Sequence, residues 1–101
     1  MKQTYFVILG DYDNRHYGHM YERLKGLGAL TQLIDNIFVL TIQDNEDLDN
    51  MEKVRNYIAG KEFGYCLVIK INSDLSCAWN IPQGKSEILK EIFEYQKNET
   101  E

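Results

Sequence analysis

Two carboxylates flank a tyrosine directly after the longest apolar stretch of the chain. Asp11 and Asp13 follow the apolar segment 5–9 and Gly10. Carboxylate oxygens are the ligands that Mg²⁺ and Mn²⁺ prefer, and a cation held there could polarise a phosphoryl oxygen or activate water. The same residue types are also typical of turns and helix caps. The sequence therefore offers Asp11 and Asp13 as metal ligands, with a purely structural role as the alternative.

Basic side chains follow these acids at helical spacing. Arg15, His19 and Arg23 stand four residues apart, so they share one face of a helix, with His16 beside them. Such a stripe could hold phosphates of RNA or DNA by charge-assisted hydrogen bonds. The alternative is a solvated helix face on which Glu22 pairs with a neighbouring base.

Histidine and tyrosine add two further hypotheses for the same region. His16 is a candidate general base, because a helix N-terminus disfavours its charged form. His16 and His19 with Asp13 make a weak zinc site, and surface histidines are the alternative. Tyr12 stands between the two acids and could stack on nucleic-acid bases, whereas Tyr17 belongs to an apolar helix stripe and is expected in the core.

Length and charge limit the classes of protein that fit. With 101 residues the chain predicts a single domain over 1–96 and a frayed tail over 97–101. The net charge of −5 argues against a surface that attracts nucleic acid everywhere. The first 42 residues are nevertheless balanced in charge, so a surface facing a polyanion is possible there.

Cellular context is inferred from the N-terminus and the cysteines. The sequence begins without a signal-peptide cleavage site and has no apolar run near the roughly 20 residues of a membrane span. Cys66 and Cys77 each lie in apolar sequence, which favours reduced thiols over a disulfide or a metal pair. We therefore expect a cytoplasmic protein with no membrane contact.

The first half of the chain predicts a strand, a helix and a hairpin. Residues 4–10 are β-branched and aromatic with both faces apolar, which is typical of a central strand. A helix capped by Asp13 or Asn14 and closed at Gly26 carries an apolar stripe. Two apolar runs, 29–34 and 37–42, then flank Asp35-Asn36, a pair typical of a tight turn. The helix stripe comprises Tyr17, Met20, Tyr21, Leu24 and Leu27.

The second half predicts a helix, a strand and a C-terminal appendage. The acids of 44–49 begin a helix that ends at Gly60, with Leu48, Met51, Val54 and Ile58 buried. A fourth strand spans 65–71, and 75–80 forms either a short fifth strand or an extended arm. A last helix over 86–96 buries an apolar stripe of Ile88, Leu89, Ile92 and Phe93.

The element order predicts an α+β, ferredoxin-like βαββαβ sandwich with an antiparallel sheet, followed by a short strand or arm and a helix. Strands one, three and four are apolar on both faces, although an open sheet should alternate. Something must therefore cover the second face. We expect a second copy of the chain, giving a homodimer through the open sheet face; the C-terminal helix of the same chain is the alternative.

The sequence resembles a known group of small proteins over residues 4–95. The segments YFVILGD, HYGHMYERLKGLG, QLIDNIFVLTI and CLVIKINSDLSCAWNI are similar to those of the SinR-like small proteins. That group shares its fold with the CRISPR-associated small nuclease and integration-subunit family and with VapD-type toxin nucleases. The resemblance is most specific at Asp11, the Tyr17-x-x-x-Tyr21 helix, Asp35 and Trp79.

The resemblance implies a function for Asp11. In the CRISPR-associated branch, the acid at the end of strand one faces its twin across a homodimer and is assigned a divalent metal and phosphodiester hydrolysis. Other members are scaffolds that hold DNA. In these relatives tyrosine usually precedes the acid, whereas Gly10 stands here. The sequence thus predicts a homodimeric nucleic-acid-processing protein, which could act as an endonuclease dependent on Mg²⁺ or Mn²⁺. A non-catalytic dimeric scaffold or interaction module with the same fold is the alternative.

Overall fold

Four strands and three helices build the structure, a computed structural model that describes residues 2–10, 15–43, 45–62, 64–72, 74–75 and 77–99. For residues 15, 62 and 96–99 it describes the backbone alone. Short 3-10 turns, Glu46–Leu48 and Gly60–Glu62, lie before and after the second helix. In chain order the elements are β1 Lys2–Leu9, α1 Arg15–Lys25, β2 Ala29–Ile34, β3 Ile37–Gln43, α2 Met51–Ala59, β4 Cys66–Ile71 and α3 Gln83–Glu99. The predicted α+β class is confirmed.

The four strands form one antiparallel sheet in the order β2-β3-β1-β4. Strand β1 is central, with Val7 opposite Phe38 of β3 and Val68 of β4. This arrangement is compatible with the predicted ferredoxin-like fold. The described residues of 75–80 belong to no strand, so this segment is an arm that connects β4 to α3.

The β2–β3 hairpin turns at Asp35 and Asn36, as predicted. Asp35 has a φ of 39°, the left-handed conformation that aspartate and asparagine tolerate better than most residues. The side-chain amide of Gln32 donates to the carbonyl oxygen of Asp35 and closes the turn. The hairpin therefore has a local cause, which is why its position could be predicted.

The first face of the sheet packs against α1 and α2. Its buried cluster comprises Tyr5, Val7, Leu9, Met20, Leu24, Phe38, Leu40, Ile42, Leu48, Val54 and Ile58. The predicted stripe of α1 is confirmed, since Tyr17, Tyr21 and Leu27 pack against this cluster. Met51 was predicted to be buried but is 45 % exposed. Met51 is the first residue of α2, because residues 46–48 form a 3-10 turn instead of the predicted start of the helix, and it therefore lies at the exposed end of the stripe.

The second face of the sheet carries a smaller apolar cluster to which the C-terminal part of the chain contributes. Phe93 of α3 lies 6.4 Å from Phe6 of β1 and stacks at 5.7 Å on Trp79 of the arm, measured between ring centroids. The indole N–H of Trp79 donates to the hydroxyl of Ser86 at 2.9 Å. The chain's own arm and α3 thus cover part of this face, and the homodimer stays a prediction.

One end of the second face remains partly open. Ile34, Ile37, Ile8 and Leu67 are successive cross-strand neighbours from β2 to β4. Leu67 is 53 % exposed and Ile34 is 40 % exposed, whereas the two central residues are half-buried. These four residues, which we call the isoleucine row, lie next to the end of β1 and the β2–β3 turn.

Helix α3 is longer than predicted at both ends. It begins directly after Pro82, whose carbonyl oxygen accepts a 2.9 Å hydrogen bond from Ser86 N. Pro82 is therefore the N-cap residue of α3. The helix continues to Glu99 and so includes residues 97–99 of the segment predicted to be a tail. A membrane span needs about 20 apolar residues, and none of the helices within the described ranges meets this requirement.

Candidate functional site

Backbone hydrogen bonds on both sides hold the carboxyl end of β1, the strand that precedes Asp11. Leu9 N donates to the carbonyl oxygen of Asn36 at 3.0 Å, and Gly10 N donates to that of Tyr65 at 2.7 Å. The side-chain amide of Asn36 also donates to the carbonyl oxygen of Leu9. The chain therefore leaves the sheet at a fixed point, between the β2–β3 turn and the residue before β4. We call this point the β1 exit.

Gly10 stands at the β1 exit because there is little room for a side chain. A Cβ atom built on Gly10 would lie 3.0 Å from both the Cβ atom and the carbonyl oxygen of Tyr65. Such contacts are tighter than ordinary packing allows, so a larger residue would push Tyr65 and the start of β4 away. This close approach explains glycine where the resemblance implies tyrosine.

The hairpin turn brings one carboxylate to the β1 exit. Asp35 is exposed and directly precedes Asn36, whose backbone and side chain both contact Leu9. From the sequence, Asp35 was predicted as a turn residue, and only the resemblance marked it as specific to the family. The fold places it at the same edge of the sheet as Gly10, although 24 positions separate the two residues in the sequence.

Several predicted site residues lie outside the described residues. Asp11, Tyr12 and Asp13 belong to the undescribed segment 11–14, and Arg15 begins α1 with its side chain undescribed. Within the described ranges, no group of three histidine, cysteine or acidic side chains is placed to hold a metal ion. The cation site at Asp11 and Asp13 therefore stays a prediction.

The two histidines differ in their surroundings. His16, in the first turn of α1, is half-buried, and solvent does not reach its Nδ1 atom. His19 is exposed one turn later. The position of His16 on the helix is thus the predicted one, while its role as a general base and the metal-ligand role of both histidines stay predictions.

Arg23 makes contacts within the fold. Its guanidinium donates to the carbonyl oxygen of Ile58 at 3.2 Å, and it fills the space beside Gly60. The carboxyl end of a helix carries partial negative charge, so a cation there stabilises α2 and its packing against α1. Arg23 thus has a structural role that the sequence analysis did not foresee, and its contact with nucleic acid stays a prediction.

The C-terminal half of α1 has one face exposed to solvent, which carries Glu22 and Lys25, and one face packed on the core. The Nζ atom of Lys25 lies 3.0 Å from a carboxylate oxygen of Glu22 and 5.1 Å from the ring centroid of Tyr21. Tyr21 in turn stacks on Tyr17 at 6.2 Å between centroids. The expectation that Tyr17 packs in the core is confirmed, and Glu22 does pair with a base of its own helix.

Tyr65 is a residue of this region that the sequence analysis did not single out. It was predicted to be the first residue of β4, but the strand begins at Cys66 and Tyr65 is 72 % exposed. Its carbonyl oxygen holds Gly10, so the aromatic ring is attached directly beside the β1 exit. An aromatic residue before an apolar strand looks like part of the strand, and no feature of the sequence showed that Tyr65 lies outside it.

No protein-family model, curated protein or solved structure matches the chain.

Proposed function

We propose that this chain is a ferredoxin-like nucleic-acid-processing protein, in which Asp11 serves phosphodiester hydrolysis with Mg²⁺ or Mn²⁺. The strand order β2-β3-β1-β4 supports the ferredoxin-like assignment. The resemblance to SinR-like proteins supports the reaction class, because it implies a metal-binding acid at the end of the first strand.

The fixed geometry of the β1 exit carries the proposal. Hydrogen bonds from Leu9 and Gly10 to both neighbouring segments fix the backbone one residue before Asp11. A ligand or catalytic group must be held in place for its chemistry, and rigid elements hold groups better than free loops. The backbone that leads into Asp11 is held in this way up to Gly10.

The residues around the β1 exit suit a hard cation with few protein ligands. Mg²⁺ commonly binds through one or two carboxylates, keeps several waters and uses the phosphates of its substrate as further ligands. Asp11 and Asp13 would supply those carboxylates, and the exposed Asp35 adds negative charge at the same edge. A bound cation would polarise a phosphoryl oxygen and lower the pKa of an attacking water.

The other side chains of the region would position the nucleic acid. The ring of Tyr65 is exposed beside the β1 exit and is suited to stacking on a base. The predicted contacts of Tyr12, Arg15, His16 and His19 would come from the adjacent start of α1. His16 could then take a proton from the attacking water.

A non-catalytic scaffold or interaction module is the second candidate, and the environment of Arg23 favours it. The guanidinium of Arg23 bonds the end of α2, and Lys25 pairs with Glu22. Much of the positive charge of α1 is thus balanced within the fold, in a chain of net charge −5. An acidic protein is a poor general binder of nucleic acid, which leaves a protein partner as the natural alternative.

The experiment is a cleavage assay that compares wild type with Asp11→Asn, a change that removes the charge and keeps the shape. Labelled single-stranded RNA and DNA are incubated with Mg²⁺ or Mn²⁺, and with a chelator as a blank. We expect Asp11→Asn to lower the cleavage rate at least about tenfold, because a neutral amide is a poor ligand for a hard cation.

Asp47→Asn is the matched control, since Asp47 is an exposed acid in the 3-10 turn before α2. It should cut at the wild-type rate. Equal rates for wild type and Asp11→Asn, or no metal-dependent cutting by wild type, would rule out the catalytic proposal. Salt-sensitive binding of the labelled strand without cutting would instead support the scaffold.

A further inference from the structure

An apolar groove lies on the second face of the sheet, between the isoleucine row and the arm. Its volume is about 360 Å³. Ile8 and Ile37 of the row and Phe6 behind them form its floor, while Cys77 and Trp79 of the arm form one wall. We call it the second-face groove. Its described lining does not include Gly10, Asn36 or Tyr65, the residues that form the β1 exit.

The lining of the second-face groove excludes charged ligands. Its described lining residues include none with a charged side chain, and most are aliphatic or aromatic. The indole N–H of Trp79 is already bonded to Ser86, so it is not available to a ligand. An ion entering the groove would lose its hydration without gaining a partner, which costs several kcal/mol. The chemistry of the lining therefore selects an uncharged, apolar molecule.

The shape of the second-face groove favours a small molecule over a protein. Three separate parts of the fold line it, namely the sheet, the arm and Leu89 of α3. Its volume falls within the roughly 300–1,000 Å³ typical of small-molecule sites. A stable protein interface instead buries about 800 Å² on each partner, usually over a flatter surface.

The packing of the arm keeps the groove open without a ligand. Trp79 stacks on Phe93, and Phe93 contacts Phe6 of the central strand. These aromatic contacts fix the arm to α3 and to the sheet, so the wall of the groove does not depend on what fills it. A site that is already formed loses little conformational entropy on binding.

We propose that the second-face groove binds a small uncharged molecule that carries an aromatic ring or a branched alkyl group. Such a molecule would cover Ile8 and Ile37 and displace poorly bound water from an apolar surface. It would also shield the thiol of Cys77, which is exposed and lines the groove.

Alkylation of the two cysteines by iodoacetamide tests this inference, with p-xylene as the uncharged probe. Cys66 serves as an internal reference, because it packs against the first core, on the other side of the sheet. Burial raises the pKa of the Cys66 thiol, so Cys66 should react more slowly than Cys77 without the probe. We expect p-xylene to slow the Cys77 reaction about threefold at twice its Kd, because the bound form does not react, and to leave Cys66 unchanged.

Two phenylalanine substitutions separate the groove from general effects. Ala78→Phe places a ring in the groove itself, because Ala78 lines it. Ala29→Phe is the matched control at an exposed position at the far end of β2. Within each variant, the Cys77 rate is compared with and without p-xylene. Protection should disappear in Ala78→Phe and persist in Ala29→Phe, and benzoate should give none because it is charged.

Four outcomes would overturn the inference. They are equal slowing of Cys66 and Cys77, no slowing of Cys77 by p-xylene, protection that survives Ala78→Phe, and protection of Cys77 that rises with protein concentration in the absence of any probe. The last outcome would mean that a second copy of the chain covers the groove. None of these results depends on whether the protein cuts nucleic acid.

Discussion

Replacing Phe38 by alanine is expected to lower the free energy of unfolding by about 3–5 kcal/mol. Phe38 is fully buried in the first core, where it packs edge-on against Tyr21 at 5.6 Å between centroids. The change removes apolar contact and leaves a cavity between β3 and α1. Domains of this size are stable by only about 5–15 kcal/mol, so the loss takes a large share of the total. Urea unfolding followed by circular dichroism measures it.

Tyr57→Ala is the matched control for the loss of an aromatic ring. Tyr57 lies on α2 and is 50 % exposed, so its removal should change the free energy of unfolding by no more than about 0.5 kcal/mol. A similar loss for Phe38→Ala and Tyr57→Ala would contradict the placement of the first core between the sheet and the two helices.

Gly28→Ala is expected to destabilise the protein by about 1–3 kcal/mol, the usual cost of overpacking. A Cβ atom on Gly28 would overlap the carbonyl oxygen of Thr41, which belongs to the backbone of β3 and cannot rotate away. The start of β2 would have to shift relative to β3. We place the effect at the upper end of that range because two paired strands must move together. Thermal unfolding of the two proteins measures the difference.

Gly18→Ala should have the opposite effect. Gly18 is exposed in the middle of α1, and an added Cβ atom would meet nothing within 4 Å. Alanine favours the helix over glycine, so the variant should gain about 0.5–1 kcal/mol of stability. If Gly28→Ala left stability unchanged or raised it as Gly18→Ala does, the close approach of Gly28 to β3 would be disproved.

Features that depend on neighbouring residues could be predicted from the sequence. The apolar stripe of α1 recurs every three or four positions, and burial of Met20 and Leu24 follows from that spacing alone. The turn at Asp35-Asn36 likewise follows from two residue types that tolerate its backbone conformation. Successive side chains of a strand point to opposite faces of the sheet, so the two sides of β1 could also be assigned from the sequence.

Features that depend on distant residues could not be predicted. Arg23 donates a hydrogen bond to the carbonyl oxygen of Ile58, which lies 35 positions away, and no local sequence pattern predicts that pair. Tyr65 and Gly10 meet only because β1 and β4 are neighbours in the sheet. The apolar second face was recognised, but its cover was not. The apolar residues of β1 would be buried equally well by a helix of the same chain and by a second copy, so their pattern does not distinguish the two.

The most direct test of the central claim is a titration with Mn²⁺ observed on backbone amide signals by nuclear magnetic resonance. Mn²⁺ broadens the signals of nearby groups, so the pattern of broadening locates the ion whether or not the protein cuts nucleic acid. The amides of Gly10, Asn36 and Tyr65 surround the β1 exit and report on it.

If Asp11 holds a divalent cation, these three signals should broaden first, at Mn²⁺ concentrations that leave α3 unaffected, and Asp11→Asn should abolish the effect. Broadening centred on the acidic segment 46–49, or an identical pattern in wild type and Asp11→Asn, would contradict a cation site at the end of β1.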